Sequence, residues 1–174
     1  TSPETIANLH ARGVKVVCYF SAGTFEDWRP DAGQFAPALL GNDLPDWPGE
    51  KWLDIRDLEG LAPVILERIN LASQKGCDGV DPDNVDGYTN DTGFPLTPED
   101  QLAYNIFLAN AAHQNGLAIG LKNDILQIQE LAPFFDWALS EECFFYKECD
   151  LLLPFVNLGK PVFVIEYELA PEEF

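Results

Sequence analysis

Short apolar runs alternate with amphipathic stretches along this chain, and every apolar run ends in polar or charged side chains. That pattern is the strongest constraint on the fold, because alternating strands and helices are built as parallel βαβ units. Six runs read as strands, at Lys15–Ser21, Lys51–Ile55, Gly79–Asn84, Ala118–Asp124, Trp137–Glu142 and Pro161–Glu168. Helical patterns fall at Pro3–Arg12, Leu61–Lys75, Pro98–Asn115, Ile125–Phe135 and Leu151–Leu158. Gly13, Gly76 and Gly116 stand where helix ends need a left-handed cap, and Thr97-Pro98-Glu99-Asp100 is a helix start. In parallel α/β folds ligands bind beyond the carboxyl ends of the strands. Six strands delivering polar groups to one edge predict a ring around a pocket, an α/β fold of the (β/α)₈ TIM-barrel type. About six strands are visible and the chain opens on a helix, so the expectation is one incomplete barrel domain over residues 1–174 with its first strand missing.

Side-chain alternation turns this edge into candidate chemistry. The densest acidic cluster runs from Asp78 to Tyr88. Asp81 and Asp83 share one face of their strand, with Asp83 at the rim to meet substrate and Asp81 a layer deeper to tune it. Asn84, Tyr88 and Tyr19 stand at the same edge, the tyrosines as faces for stacking sugars. Trp137, Leu139 and Glu141 share a face of a later strand, so Glu141 is expected in the barrel mouth with the raised pKa of a carboxyl among apolar neighbours. Two carboxyl groups on opposed strands suit glycosidic cleavage, one protonating the leaving oxygen and the other attacking the anomeric carbon or activating water. Lys122 and Asn123 end the strand between, in a hydrogen-bonding or ion-pairing role.

Competing chemistries find little support. The EF-hand register fails, since counting from Asp81 puts Val85, Asp86 and Thr92 at the fifth, sixth and twelfth positions. No CxxC pair, HExxH, Walker A loop or GxSxG elbow occurs, so no metal and no cofactor are expected. Acidic residues number 29 against 10 basic, a formal net charge of −19. Such a field repels nucleic acid and anionic membranes and draws in cations. No run of about 18 apolar residues is present to span a membrane. Cys143 and Cys149 bracket a short loop that a disulfide would close, whereas Cys18 and Cys77, beside apolar strands, read as buried free thiols.

Several segments together resemble glycoside hydrolase family 114, the endo-α-1,4-polygalactosaminidases. They are Val17-Cys18-Tyr19-Phe20-Ser21-Ala22-Gly23, Glu26-Asp27-Trp28-Arg29-Pro30-Asp31, Trp52-Leu53-Asp54-Ile55, Asp78 through Tyr88, Gly120-Leu121-Lys122-Asn123-Asp124, Glu141-x-Cys143 and Glu166-Tyr167. The resemblance implies a secreted, extracellular barrel enzyme, acting as a monomer on a cationic galactosamine-containing polysaccharide. It places the catalytic pair at Asp83, as nucleophile or base, and Glu141, as acid/base. Asp81, Lys122, Asn123 and Glu166 would form the surrounding shell, with Asp54 gripping amines. The other expectation, from a different class, is a non-catalytic barrel that binds the same polymer without cutting it.

Overall fold

The computed structural model describes residues 1–173. Its strands are β1 (Val17–Ser21), β2 (Thr24–Glu26), β3 (Leu40–Asp43), β4 (Glu50–Leu53), β5 (Gly79–Asp83), β6 (Ala118–Lys122), β7 (Trp137–Glu141) and β8 (Val162–Ile165). The α-helices are α1 (Pro3–His10), α2 (Leu58–Lys75), α3 (Pro98–Gln114), α4 (Ile128–Leu131), α5 (Cys143–Tyr146) and α6 (Leu153–Asn157). Five strands form one parallel sheet in the order β1-β5-β6-β7-β8. The order never reverses, so the chain winds in one sense as a barrel wall does, and the α/β barrel-type expectation holds.

One strand assignment is corrected. The run at Lys51–Ile55 is not in the parallel wall: β4 pairs antiparallel with β2 and β3 in a separate three-stranded sheet. A parallel neighbour needs a long crossover, usually a helix. Between β1 and β4 the chain supplies only β2, β3 and two single turns of 3₁₀ helix, at Ala32–Gln34 and Pro37–Leu39. The small sheet therefore sits at the carboxyl edge of the wall as an insertion, joined to it where the Leu53 N–H donates to the Gly23 carbonyl at 3.0 Å.

One face of the parallel sheet packs on the helices. Val80, Ile119, Leu121 and Ala138 are buried there with Leu61, Ile65, Ile69, Leu108 and Phe135. Tyr104 of α3 is fully buried, and its hydroxyl donates to the Ala22 carbonyl at 2.7 Å, tying the end of β1 to the helix layer. The helix ends follow the sequence signals. Thr97 Oγ1 accepts from the Asp100 N–H, and the Asp100 carboxylate accepts from the Thr97 N–H, a complete capping box. Gly76 closes α2 at φ 87°, a left-handed position that favours glycine. On the other face, Trp137 lies over Gly79 and Gly120, where any Cβ would collide with the indole. Those two glycines let a large ring lie flat on the sheet, directly below the layer that carries Lys122 and Glu141.

A second correction concerns the thiols. Cys18 and Cys77 are not free but disulfide-bonded, as Cys143 and Cys149 are. Because β1 pairs directly with β5, Cys18 stands opposite Val80, and Cys77 just before β5 is within bonding reach. Among the described residues no helix is long and apolar enough to cross a membrane.

Candidate active site

The carboxyl ends of β5, β6 and β7 deliver Asp83, Lys122 and Glu141 to one cleft of about 440 Å³. The alternation argument places all three on the face away from the helices, and they meet. Lys122, from the middle strand, puts its Nζ 3.1 Å from Asp83 Oδ1 and 3.3 Å from Glu141 Oε2. One ammonium touching both acids limits those two oxygens to at most about 6.4 Å apart, and at a tetrahedral angle to about 5 Å.

Each carboxylate has its own additional donors. Asp83 also accepts from the Tyr19 hydroxyl at 3.1 Å and from the Asn84 N–H at 3.0 Å. Asn84 adopts φ 59° and its amide donates to Ser21 Oγ and Thr24 Oγ1, which fixes the turn after β5 against the β1–β2 junction. Glu141 accepts from Tyr167 Oη at 2.7 Å and Asn123 Nδ2 at 3.2 Å, while Asn123 Oδ1 accepts the Glu141 N–H.

These contacts set the charge states. Burial pushes Glu141 up, but the Tyr167 and Asn123 hydrogen bonds and the Lys122 charge outweigh it, leaving Glu141 below the ordinary glutamate value. The expected raised pKa is therefore not what this environment gives: the apolar neighbours Trp137 and Leu139 lie below, and the donors are at the rim. Burial lowers Lys122, but attraction to Asp83 and Glu141 wins and keeps it protonated. Asp81, one layer down, has an Oδ1 with no partner, and burial raises it to about 6 against the pull of Lys122. It lies one layer beneath Lys122, where the sequence reading expected a tuning group. Burial and the Asp83 charge raise Tyr19, which keeps it a donor.

Other expected site residues fall elsewhere. The Asp54 carboxylate is clamped by Arg56 through two 2.7 Å bonds and is not part of the cleft lining. Glu166 turns its carboxylate onto the N–H groups of Phe144 and Phe145 at the start of α5. Both carboxylates are thus engaged by partners within the fold. Tyr88 lies not in this cleft but in an adjoining hollow, beside Asp124. In exchange the cleft gains Trp47, Trp52, Glu50 and Asp86, none of them among the site residues expected from the sequence. Three of them follow from the inserted sheet, since Trp52 and Glu50 lie on β4 and Trp47 on the β3–β4 turn. Glu50 is raised chiefly by burial and is bonded by Thr24 Oγ1 at 2.9 Å. The cleft lining holds four carboxylates, Glu50, Asp83, Asp86 and Glu141, against the single ammonium of Lys122. Such a lining favours a cationic ligand.

Known proteins share this architecture. The chain is similar to Ega3 of Aspergillus fumigatus, whose crystal structure was solved in complex with galactosamine: identity is 46%, the TM-score is 0.94, and the match covers 99% of this chain and 72% of that one. The glycoside hydrolase domain of PelA from Pseudomonas aeruginosa has the same fold, with 18% identity, a TM-score of 0.70, and coverage of 99% and 74%. An uncharacterized protein of Deinococcus radiodurans is 27% identical over 189 residues, and the chain spans 61% of its length. The family model for glycoside-hydrolase family GH114 matches residues 1–173. Sequence match and barrel-wall topology agree that this chain belongs to glycoside-hydrolase family GH114.

Proposed function

We propose that this protein is an endo-acting glycoside hydrolase that cleaves α-1,4-linked galactosamine-containing polysaccharide, using Asp83 and Glu141 as its carboxyl pair. The observation that carries the reading is Lys122 in contact with both acids at 3.1 and 3.3 Å, which holds their facing oxygens within at most about 6.4 Å and supports the closely spaced, retaining arrangement. In that reaction Glu141 donates a proton to the glycosidic oxygen while Asp83 attacks the anomeric carbon, and the leaving chain departs as its hydroxyl. Glu141, now ionised, takes a proton from water, which attacks the same carbon and releases Asp83. Lys122 holds the two acids in register through its contacts with both. The galactosamine bound to Ega3 and the acidic cleft support an amino-sugar substrate.

The same reading gives the net charge of −19 a use, as a field that gathers a polycation. Two disulfides support folding in an oxidising, extracellular compartment.

The test is incubation of the full-length protein with partially deacetylated α-1,4-galactosaminan, with products followed by mass spectrometry. Wild type is expected to release shorter oligosaccharides, and Asp83→Asn and Glu141→Gln to lose at least about a hundredfold in rate. Polymer binding with no new reducing ends would leave a non-catalytic binder instead.

A further inference from the structure

The two carboxylate oxygens of Glu141 are held by different parts of the chain. Oε2 has Asn123 Nδ2 at 3.2 Å and Lys122 Nζ at 3.3 Å, from the end of β6 and the residue after it. Oε1 has Tyr167 Oη at 2.7 Å. Tyr167 lies past the end of β8 and is 64% exposed, so packing alone does not fix where its hydroxyl points. The residue before it is Glu166. Its Oε1 accepts from the Phe144 N–H at 3.0 Å and its Oε2 from the Phe145 N–H at 3.4 Å. Those donors stand in the first turn of α5, where a helix offers its N–H groups no acceptor of its own. One carboxylate satisfies both through charge-assisted bonds.

Although α5 is a single turn, it is a firm anchor. The Cys143–Cys149 disulfide closes the segment, Cys143 is fully buried, and the Glu148 N–H donates to the Cys143 carbonyl at 2.9 Å. The loop also begins at the acid itself. Glu141 pairs in register with Ile165, the Glu142 N–H donates to the Ile165 carbonyl at 2.7 Å, and Cys143 opens α5. A closed path therefore runs from Glu141 along the loop backbone to Glu166, and through Tyr167 back to the Glu141 carboxylate. We propose that Glu166 is a positioning residue for the acid/base, its grip on the disulfide-closed loop setting Tyr167 Oη on Glu141 Oε1. Without that grip, an exposed side chain beyond the strand end must be ordered for a single hydrogen bond, against its own rotamer entropy. The consequence is electrostatic. Burial pushes Glu141 up, and the Tyr167 bond is the largest of the influences that bring it down. Taking the hydroxyl off Oε1 leaves Glu141 protonated to higher pH. Glu166 is not part of the cleft lining, so it acts through Tyr167.

The inference deepens the hydrolase reading and rests on it for the acid role of Glu141. The test uses the full-length protein with Glu166→Ala, Glu166→Gln, Tyr167→Phe and the Glu166→Ala/Tyr167→Phe double variant. Two quantities are read. One is the alkaline limb of kcat/KM on partially deacetylated α-1,4-galactosaminan; the other is the Glu141 carboxyl titration by NMR, which needs no turnover. Glu166→Ala moves both up, in the direction of Tyr167→Phe and no further than it. In the double variant Glu166→Ala adds nothing to Tyr167→Phe, because both remove the same hydrogen bond. Glu166→Gln keeps an acceptor for the 3.0 Å bond and gives a smaller shift; it carries the test if Glu166→Ala fails to fold. If wild type cuts nothing but the Glu141 titration moves as stated, the positioning role stands and the hydrolase reading fails. If wild type cleaves and the folded Glu166 variant raises KM with limb and titration unmoved, Glu166 grips substrate instead. The positioning role is then overturned and the hydrolase stands. An unmoved titration with KM unchanged overturns it equally.

Discussion

Replacing Asp124 by asparagine should make the protein more stable at neutral pH and flatten its stability–pH profile. Asp124 is 3% exposed, so solvent screening offers it little relief. Its carboxyl is raised from 3.8 to about 7 by burial first, then by Asp86, with hydrogen bonds from Tyr88 and Asn105 opposing. A raised acid binds its proton more tightly in the folded chain than in the unfolded one. Between pH 4 and 7 the folded state therefore carries more protons, and unfolding free energy falls as pH rises. Three pH units at about 1.4 kcal/mol each give a loss of up to about 4 kcal/mol across that window from this group. The substituted amide could still accept from Asn105 through its carbonyl oxygen but has no proton to lose. Urea unfolding at half-unit pH steps from 4 to 7.5 measures the difference directly. The expected result is near-equal stability at pH 4 and a variant more stable by one to several kcal/mol (about 4 at most) at pH 7.5. Parallel wild-type and variant curves would refute the claim that a buried acid without a cation beside it destabilises this region at neutral pH.

Further expectations concern the pair and its supports. Glu141 must be protonated to act as an acid, and its lowered pKa confines kcat/KM to the acid range, falling as pH rises. Tyr167→Phe removes the 2.7 Å donor that helps hold the value down, so the alkaline limb should move up; an unmoved limb would separate Glu141 from the acid role. Lys122→Met leaves two facing carboxylates without their shared cation, and kcat should drop by about a hundredfold or more, with Glu141 titrating at higher pH by NMR. Breaking Cys18–Cys77 by paired Ala substitution opens a link across 59 residues and should cost up to about 4 kcal/mol, against about 2 for the six-residue Cys143–Cys149 link. Chemical denaturation of the two double variants decides it, and the reverse ranking would contradict the chain-entropy account.

The catalytic candidates were legible because strand alternation is local. Asp81 and Asp83 on β5, Lys122 on β6 and Glu141 on β7 share a face by period two alone, and parallel register brings their ends together. What was not legible depended on which strands were neighbours. Reading Lys51–Ile55 as a wall strand put it between β1 and β5, and that one step hid three features. It separated Cys18 from Cys77, so their disulfide could not be anticipated. It removed Trp47, Glu50 and Trp52 from the cleft, which they enter only because β2, β3 and β4 fold as a sheet over its edge. It also made Asp54 look like a wall-end acid, when it lies past the inserted sheet with Arg56 two residues on as its clamp. The missing signal was in the sequence: residues 22–50 carry no helical period, and a parallel neighbour after β1 could not be reached without a crossover. The place of Glu166 was not legible for a different reason. Its helix-capping role depends on α5, a single turn of Cys143-Phe144-Phe145-Tyr146 whose start is set by the Cys143–Cys149 link and by Glu142 in a left-handed conformation. A turn made by a covalent closure has no periodicity to read, so the residue that caps it looks like a free acid at a strand end.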